Sequence, residues 1–317
     1  INFIQIFFFI KKNKYDFVHI IGSNNITSSA INAACLLDKP KIIELVTKKS
    51  SPYQLLPIIK FLYRPSFNFN TLIIAINNEI LNNFKSNQIK NSIWVRDNPI
   101  GKKYIYKNKF QLKKKKFKFK KKDIVISQIG QFYESKNQIF LIDVLSYLPE
   151  NFKLILAGPL SKKGINSKKD IEYFERIKKK IKDYNLKKRI KLIDKFIDPV
   201  EILNITSISA MPNYNEGFGN PLIESLGLGI PVIVNNDEKI FRKSIIKGFN
   251  GLSIKLNAKE WAKQIKNFDY NYSRKKISKD IHSKIDYSKH IKSYVEIFDY
   301  FSKINKKINI NINKILN

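Results

Sequence analysis

"SISAMPNYNEGFGNPLIESLGLGIPVIV", residues 207 to 234, holds a strand, a loop, a helix and a second strand in one short span. "SISAMP" (207–212) is a small-residue apolar run, and "IPVIV" (230–234) is β-branched and fully apolar. Between them, Asn220 is a favoured N-cap, Pro221 a favoured first helical residue, and Gly227 and Gly229 end the helix. Strands joined through a helix lie parallel, so this stretch alone places the chain in the α/β class.

The same alternation extends in both directions. Towards the C-terminus, "GLSI" (251–254) is a further short strand and "HIKSYVEIFDYFSKI" (290–304) an amphipathic helix. Upstream, "DIVISQIG" (123–130) is a strand ending at a glycine and "KNQIFLIDVLSYLP" (136–149) has helical spacing. "FKLILAG" (152–158) is the next strand, "IEYFERIKKKIKDY" (171–184) the next helix, and "IKLIDKF" (190–196) a strand. A weaker copy precedes it: "YDFVHIIG" (15–22), "INAACLL" (31–37), "KPKIIELV" (39–46), "TLIIAIN" (71–77) and "SIWVRDNPIG" (92–101). The expectation is two doubly wound α/β domains facing across a cleft, with ligands at the carboxyl ends of the strands.

Composition narrows the function classes. The 317 residues suffice for two domains, and 59 Lys+Arg against 26 Asp+Glu give a net charge of +33. The lysines are scattered over every segment, which reads as compositional bias rather than a selected nucleic-acid face. The densest run, "KKKKFKFKKKD" (113–123), is expected to be a solvated linker. The single cysteine, Cys35, excludes an internal disulfide framework and suits a reducing compartment. "INFIQIFFFI" (1–10) is too short to span a bilayer and lacks the features of a signal peptide; a buried helix or strand is expected. No metal site is expected, because Cys35 stands alone, the three histidines are dispersed and no DxD pair ends a strand.

Chemistry concentrates at the opening stretch. Gly217 and Gly219 leave backbone N–H groups uncovered at a helix start, where the dipole favours an anion such as a diphosphate. Glu224, read as lying in the first turn, can accept paired hydrogen bonds from vicinal hydroxyls such as a ribose diol. Glu216 can hold hydroxyls of a second sugar. The plain alternative is an acidic residue well placed at a helix start, with glycines that serve only the turn. Paired carboxylates also suit a glycosidase, but the anion-binding helix start then has no purpose.

"NEGFGNPLIESLGLGIPVIV" resembles the E-x7-E segment of family 4 retaining glycosyltransferases, which have the GT-B fold. "SQIGQFYESKNQIFLIDVL", "FKLILAGP" and "IIKGFNGLSI" resemble that family's donor-domain segments in the same order, across about 120 to 255. The resemblance implies an incomplete Rossmann-like acceptor-binding domain at 1–112, a basic linker at 113–122 and a nucleotide-sugar donor domain at 123–289. It also implies a C-terminal helical segment at 290–317 packing back towards the N-terminal domain, and a first strand and glycine-rich loop before Ile1. Carried over, Glu216 would contact the transferred sugar and Glu224 the ribose. Gly130, Gln131, Lys136, Gly217, Phe218, Gly219 and Asn220 would face the donor, and Gly22, Ser23 and Glu44 the acceptor.

The implied activity is transfer of a sugar from a nucleotide-diphosphate donor to a hydroxyl of a glycan or lipid-linked acceptor. It implies retention and no metal or cofactor beyond the nucleotide-sugar co-substrate. The expected setting is cytoplasmic, at the inner face of a membrane whose anionic surface the basic N-terminal half would meet. Two departures stand out. Gln131 occupies the place of the family's usual arginine, and the strand at 39–46 lacks the histidine that many members carry, with Glu44 near that position. His19 is expected to be a packed, hydrogen-bonded strand residue. The competing readings are a degenerate GT-B binding module and a basic nucleic-acid-binding protein.

Overall fold

The computed structural model describes residues 3–13, 15–22, 25–46, 71–84, 92–96, 98–107, 114–164, 167–242 and 244–303. The chain divides into two units, one formed by Ile1–Pro99 with Asp286–Asn317 and the other by Ile100–Ile285.

The first unit carries a parallel sheet of β1 (Val18–Ile21), β2 (Lys41–Leu45), β3 (Thr71–Ala75) and β4 (Ser92–Val95), in that spatial order. Strands β2 and β3 are buried along their whole length, as parallel strands covered on both faces must be. Among the described residues, helices α1 (Phe3–Lys12), α2 (Asn25–Leu36) and α3 (Asn78–Phe84) accompany them. Helix α1 departs from the buried element expected at 1–10. Its apolar residues run all round the helix, so only one stripe can pack; Ile10 is buried while Ile4, Phe8 and Phe9 are about 60% exposed. Among the described residues, no helix is long and apolar enough to cross a membrane.

The second unit carries β5 (Ile124–Ile129), β6 (Phe152–Ala157), β7 (Ile190–Ile193), β8 (Ile208–Met211), β9 (Val232–Asn235) and β10 (Gly251–Ile254). All pairings are parallel, in the order β10-β9-β8-β5-β6-β7. Chain order thus reverses between β5 and β8, which makes the loops following those two strands the switch point of the sheet.

Helices α4 (Gln138–Ser146), α5 (Ser167–Asp183), α6 (Pro199–Leu203), α7 (Asn220–Gly227), α8 (Lys239–Arg242), α9 (Ala258–Lys266) and α10 (Arg274–Lys284) complete this unit. Leu141 and Leu145 of α4, Phe174 and Ile177 of α5 and Trp261 of α9 pack on Leu154, Leu156 and Ile208. Helices α7 and α10 bury Leu222, Leu226, Ile277 and Ile281 against Val232 and Val234. The alternate residues Val125, Ile155 and Ala157 meet Phe117, Phe119 and Ile202. Side chains alternate across the strands, so each strand serves two cores.

That last cluster corrects the expected linker. Phe117 and Phe119 are buried, and Lys114 Nζ donates to the Lys121 and Asp123 carbonyls. The run 114–122 is therefore packed onto the second unit, and the break between units falls at Pro99 instead. Phe117 closes a 3-10 turn, Lys114–Phe117, and the left-handed Lys118, φ 62°, turns the chain so that both phenylalanines are buried while Lys116, Lys118 and Lys120 stay in water.

Helix α11 (Tyr287–Ser302) returns the chain to the first unit, capped by Asp286, whose side chain accepts from the Ser288 and Lys289 amides. Its Ile297 and Phe301 are buried against Ile42, Leu72 and Ile74.

Candidate functional site

The switch point of the second sheet holds the residues singled out between 130 and 137 and between 213 and 220. Strand β5 ends at Gly130, and Gly158 follows β6 with a φ of +157°; a side chain at Gly158 would overlap the Gly130 carbonyl. That close approach lets the chain turn from Gly130 through Gln131 into a short 3-10 turn, Glu134–Lys136. Asn137 ends the turn in the left-handed region, φ 52°, and opens α4.

Three hydrogen bonds join β5 and this segment to the loop after β8, and a fourth braces the segment to β5. Gln128 Nε2 donates to the Lys136 carbonyl at 2.5 Å and to Asn213 Oδ1 at 3.1 Å. Asn137 Nδ2 donates to the Pro212 carbonyl at 3.3 Å, and the Tyr214 amide to the Ser135 carbonyl at 3.0 Å. Sequence reasoning passed over Gln128 and Asn213. The available signal was Gln128 itself, a glutamine in a strand of otherwise apolar and small residues, buried to 2% exposure.

This bracing brings Lys136 and Glu216 together as an ion pair, both side chains about 12% exposed. Asn213 Nδ2 donates to the same Glu216 oxygen at 2.9 Å. Burial works to lower the Lys136 pKa, but the Glu216 charge and the Tyr133 hydroxyl overcome it and hold the pKa above its ordinary value. Lys136 is therefore a fixed cation at the strand ends, its aliphatic stem lying over Gly130. Gln131 is half-buried; its carbonyl accepts from Gln138 Nε2 at 3.0 Å.

Helix α7 begins one residue earlier than the sequence suggested. Gly219, at φ 79°, is the N-cap, Asn220 the first helical residue and Pro221 the second. Asparagine is a better cap by propensity, yet the capping position is left-handed and lies on Phe241, so only glycine fits without strain. Gly219→Ala should destabilise the protein by about 2–3 kcal/mol, combining left-handed strain with the overlap on Phe241. Gly164→Ala is the control. It shares a positive φ, 112°, but no described residue comes within 4 Å of the added carbon, so it should cost less. Urea unfolding midpoints check both; equal losses would remove the Phe241 contribution.

Glu224 is correspondingly displaced into the second turn, as the fifth residue of α7, so it is not a first-turn acid. It is half-buried and pairs with the Tyr104 hydroxyl. Burial raises its pKa; the Tyr104 bond and nearby Lys103 oppose this, Asp198 adds to it, and the net shift is upward. Gly217 and Phe218 are half-buried and Asn220 exposed at the same helix start.

The acceptor-side residues fall in the first unit. Gly22 ends β1 at φ 111°, and its amide donates to the Glu44 carbonyl at 3.1 Å; Ser23 lies outside the described residues. Glu44 is buried and, among the described residues, its carboxylate meets three partners. It pairs with Arg96, accepts from the Tyr294 hydroxyl at 3.0 Å, and meets His19 Nε2 at 3.0 Å. Burial alone would raise its pKa, but His19, Arg96 and Tyr294 bring it below the usual value. The geometry thus gives Glu44 a packing role beneath α11, shared with His19.

A family model described as "Glycosyl transferases group 1" matches residues 109–281. The chain is 26% identical over 275 residues to an Escherichia coli protein, the UDP-Gal:alpha-D-GlcNAc-diphosphoundecaprenol alpha-1,3-galactosyltransferase, covering 81% of this chain and 66% of that one. It is 26% identical over 212 residues to the Staphylococcus aureus capsular polysaccharide biosynthesis glycosyltransferase CapH, covering 66% of this chain and 54% of that one. The chain thus spans just under two thirds of the first relative and about half of the second.

Among solved structures, HepE of Anabaena in complex with UDP and glucose superposes with a TM-score of 0.74. The identity is 16%, over 94% of this chain and 81% of that one. A glycosyltransferase from Rickettsia africae gives 0.72 at 18% identity, over 96% and 81%. These likenesses establish the expected fold, α/β of the GT-B type with two Rossmann-like domains.

Proposed function

The chain belongs to the group 1 glycosyl transferases, and on that premise we propose that it moves a sugar from a nucleotide-diphosphate-sugar donor to a hydroxyl of a glycan or lipid-linked acceptor. The observation that carries this reading is the largely buried Lys136–Glu216 pair set at the sheet's switch point, beside the Gly219-capped start of α7. A leaving nucleoside diphosphate gains charge as the bond from the anomeric carbon to the phosphate oxygen breaks. A preorganised cation and a helix N-terminus stabilise that charge without reorganising.

In this reading Lys136 and the amides around Gly217, Phe218 and Gly219 face the diphosphate. Glu216 holds hydroxyls of the transferred sugar, and Glu224 holds the ribose diol. The finer assignment is to family 4, with retention and without metal. The acceptor oxygen attacks from the face the phosphate leaves, and its proton passes to a phosphate oxygen. The diphosphoundecaprenol-linked substrate in the Escherichia coli relative's name and the capsular role in CapH's support a lipid-linked or cell-surface polysaccharide acceptor. The net charge of +33 supports peripheral attachment at an anionic cytoplasmic leaflet.

A panel of nucleoside diphosphates and nucleotide sugars tests the donor site by thermal shift. At a hundredfold excess over Kd, a true donor adds about 2.7 kcal/mol, on the order of 5 °C or more in Tm. If no nucleotide moves Tm, the donor reading is lost. Glu224→Gln should weaken the selected diphosphate about tenfold, since an amide accepts one of two diol hydrogen bonds where a carboxylate accepts both. The upward pKa shift sets the pH dependence: the ionised, diol-accepting form is lost as pH falls through a value above glutamate's ordinary 4.5. Affinity should therefore show an acid limb above 4.5 that vanishes in Glu224→Gln.

A further inference from the structure

Glu238 lies between β9 and α8, buried to 7% exposure, and its carboxylate points back at the loop after β8. Its two oxygens take two successive backbone donors. Oε1 accepts from the Asn215 amide at 2.6 Å, and Oε2 from the Glu216 amide at 3.3 Å. Glu238 is itself held in place, its own amide donating to the Asn235 carbonyl at 3.2 Å and its carbonyl accepting from the Phe241 amide at 3.0 Å. Neighbouring groups grip the same loop: Asn235 Nδ2 donates to the Asn213 carbonyl at 3.1 Å, and Phe241 underlies Gly219. The segment 235–241 is thus a floor on which residues 213–219 are set.

Two carboxylates serve one loop, and their partners are divided. Glu216 takes Lys136 and the Asn213 amide group, whereas Glu238 takes main-chain donors. Asn215 has a φ of 62°, a left-handed conformation that asparagine tolerates better than most residues but still at some cost, which a local constraint offsets. A carboxylate accepting its N–H at short range supplies such a constraint, because charge-assisted bonds to backbone amides are the stronger kind. The direction of Glu216 then depends on the peptide immediately before it, and that peptide is clamped by Glu238.

We propose that Glu238 is a positioning residue for sugar transfer, holding the 215–216 peptide so that the Glu216 carboxylate is aimed at Lys136 and the transferred sugar. This rests on the transferase reading above. It acts through Glu216 and does not touch the donor. Glutamine at 238 keeps one acceptor oxygen but turns an NH2 towards the second amide, while alanine removes both acceptors, so the two variants should form a graded series.

The experiment compares full-length Glu238→Gln and Glu238→Ala with wild type in amide exchange, donor kinetics and, by calorimetry, binding of the nucleoside diphosphate selected by thermal shift. Exchange over residues 214–217 should accelerate about tenfold in the glutamine variant and further in the alanine variant. With the loop loosened, kcat should fall about tenfold and about a hundredfold respectively, while donor KM and the diphosphate Kd stay within about threefold. Unchanged exchange, unchanged kcat, or KM and Kd rising in step with the loss of kcat would each overturn the positioning role. Should the alanine variant fail to fold, the glutamine variant alone decides. A wild-type protein that transfers no sugar from any donor sinks the transferase reading itself. An active wild type with indifferent variants sinks only the role of Glu238.

Discussion

Glu216→Gln is expected to lower kcat about 10²–10³-fold while leaving donor KM within about threefold, the pattern of an interaction that strengthens in the transition state. The argument begins with what glutamine preserves. It matches glutamate in length, so the loop held by Glu238 and the Asn213 contact to the side-chain oxygen both survive the change. What disappears is the negative charge facing Lys136 and the transferred sugar. A sugar losing its leaving group becomes positive at the anomeric carbon, so a nearby carboxylate gains attraction as the bond stretches, whereas an amide does not. The ammonium of Lys136 loses its main counter-charge as well. Burial, which acts to lower its pKa, is then opposed by less, and Lys136 becomes a less secure cation for the departing diphosphate. Both effects act on turnover, and neither requires weaker donor binding in the ground state. Steady-state kinetics with the donor found by thermal shift gives the split. A raised KM at unchanged kcat would reassign Glu216 to ground-state binding of the sugar.

The features legible in the sequence were those fixed by near neighbours. "SISAMP" and "IPVIV" are too apolar to face water and too short to be helices, and the segment between them carries its own stop signals, so the βαβ unit could be read locally. Lys136 and Glu216 were reached through residue types and a resemblance, yet their meeting depends on Gln128 and Asn213, which are 85 positions apart. Glu44 was singled out because it stands near the place of the histidine that many members of the resembled family carry. The hydroxyl that occupies it belongs to Tyr294, 250 positions away on a helix whose sequence shows only amphipathic spacing. The cap of α7 failed for the same reason, since propensity favours Asn220 but Phe241 beneath Gly219 settles the position. In the run at 113–122 the lysines dominated the composition and concealed two phenylalanines that a nearby core could bury.

Lys136→Met should cost about 10²–10³ in kcat/KM, and its combination with Glu216→Gln separates chemistry from folding. Methionine keeps much of the aliphatic stem that lies over Gly130 but removes the ammonium. The single variant leaves the Glu216 carboxylate largely buried, with Asn213 donating to it but no counter-charge from Lys136, and breaking a pair at such burial costs about 3 kcal/mol. In the double variant no charge remains to be desolvated, so most of that stability should return, with Tm moving back towards wild type. Activity should not return, because neither the cation for the leaving group nor the carboxylate for the sugar has been restored. Gln131, where the resembled family usually has an arginine, sharpens the expectation. A glutamine can donate a hydrogen bond but carries no charge, so leaving-group stabilisation at the end of β5 depends on Lys136 more heavily than it would beside an arginine. Thermal unfolding and donor kinetics on the two single variants and the double variant complete the cycle. Recovery of stability without recovery of turnover assigns the pair to the reaction. A double variant that regains activity along with Tm would make the pair a structural brace and move the site elsewhere along the switch point.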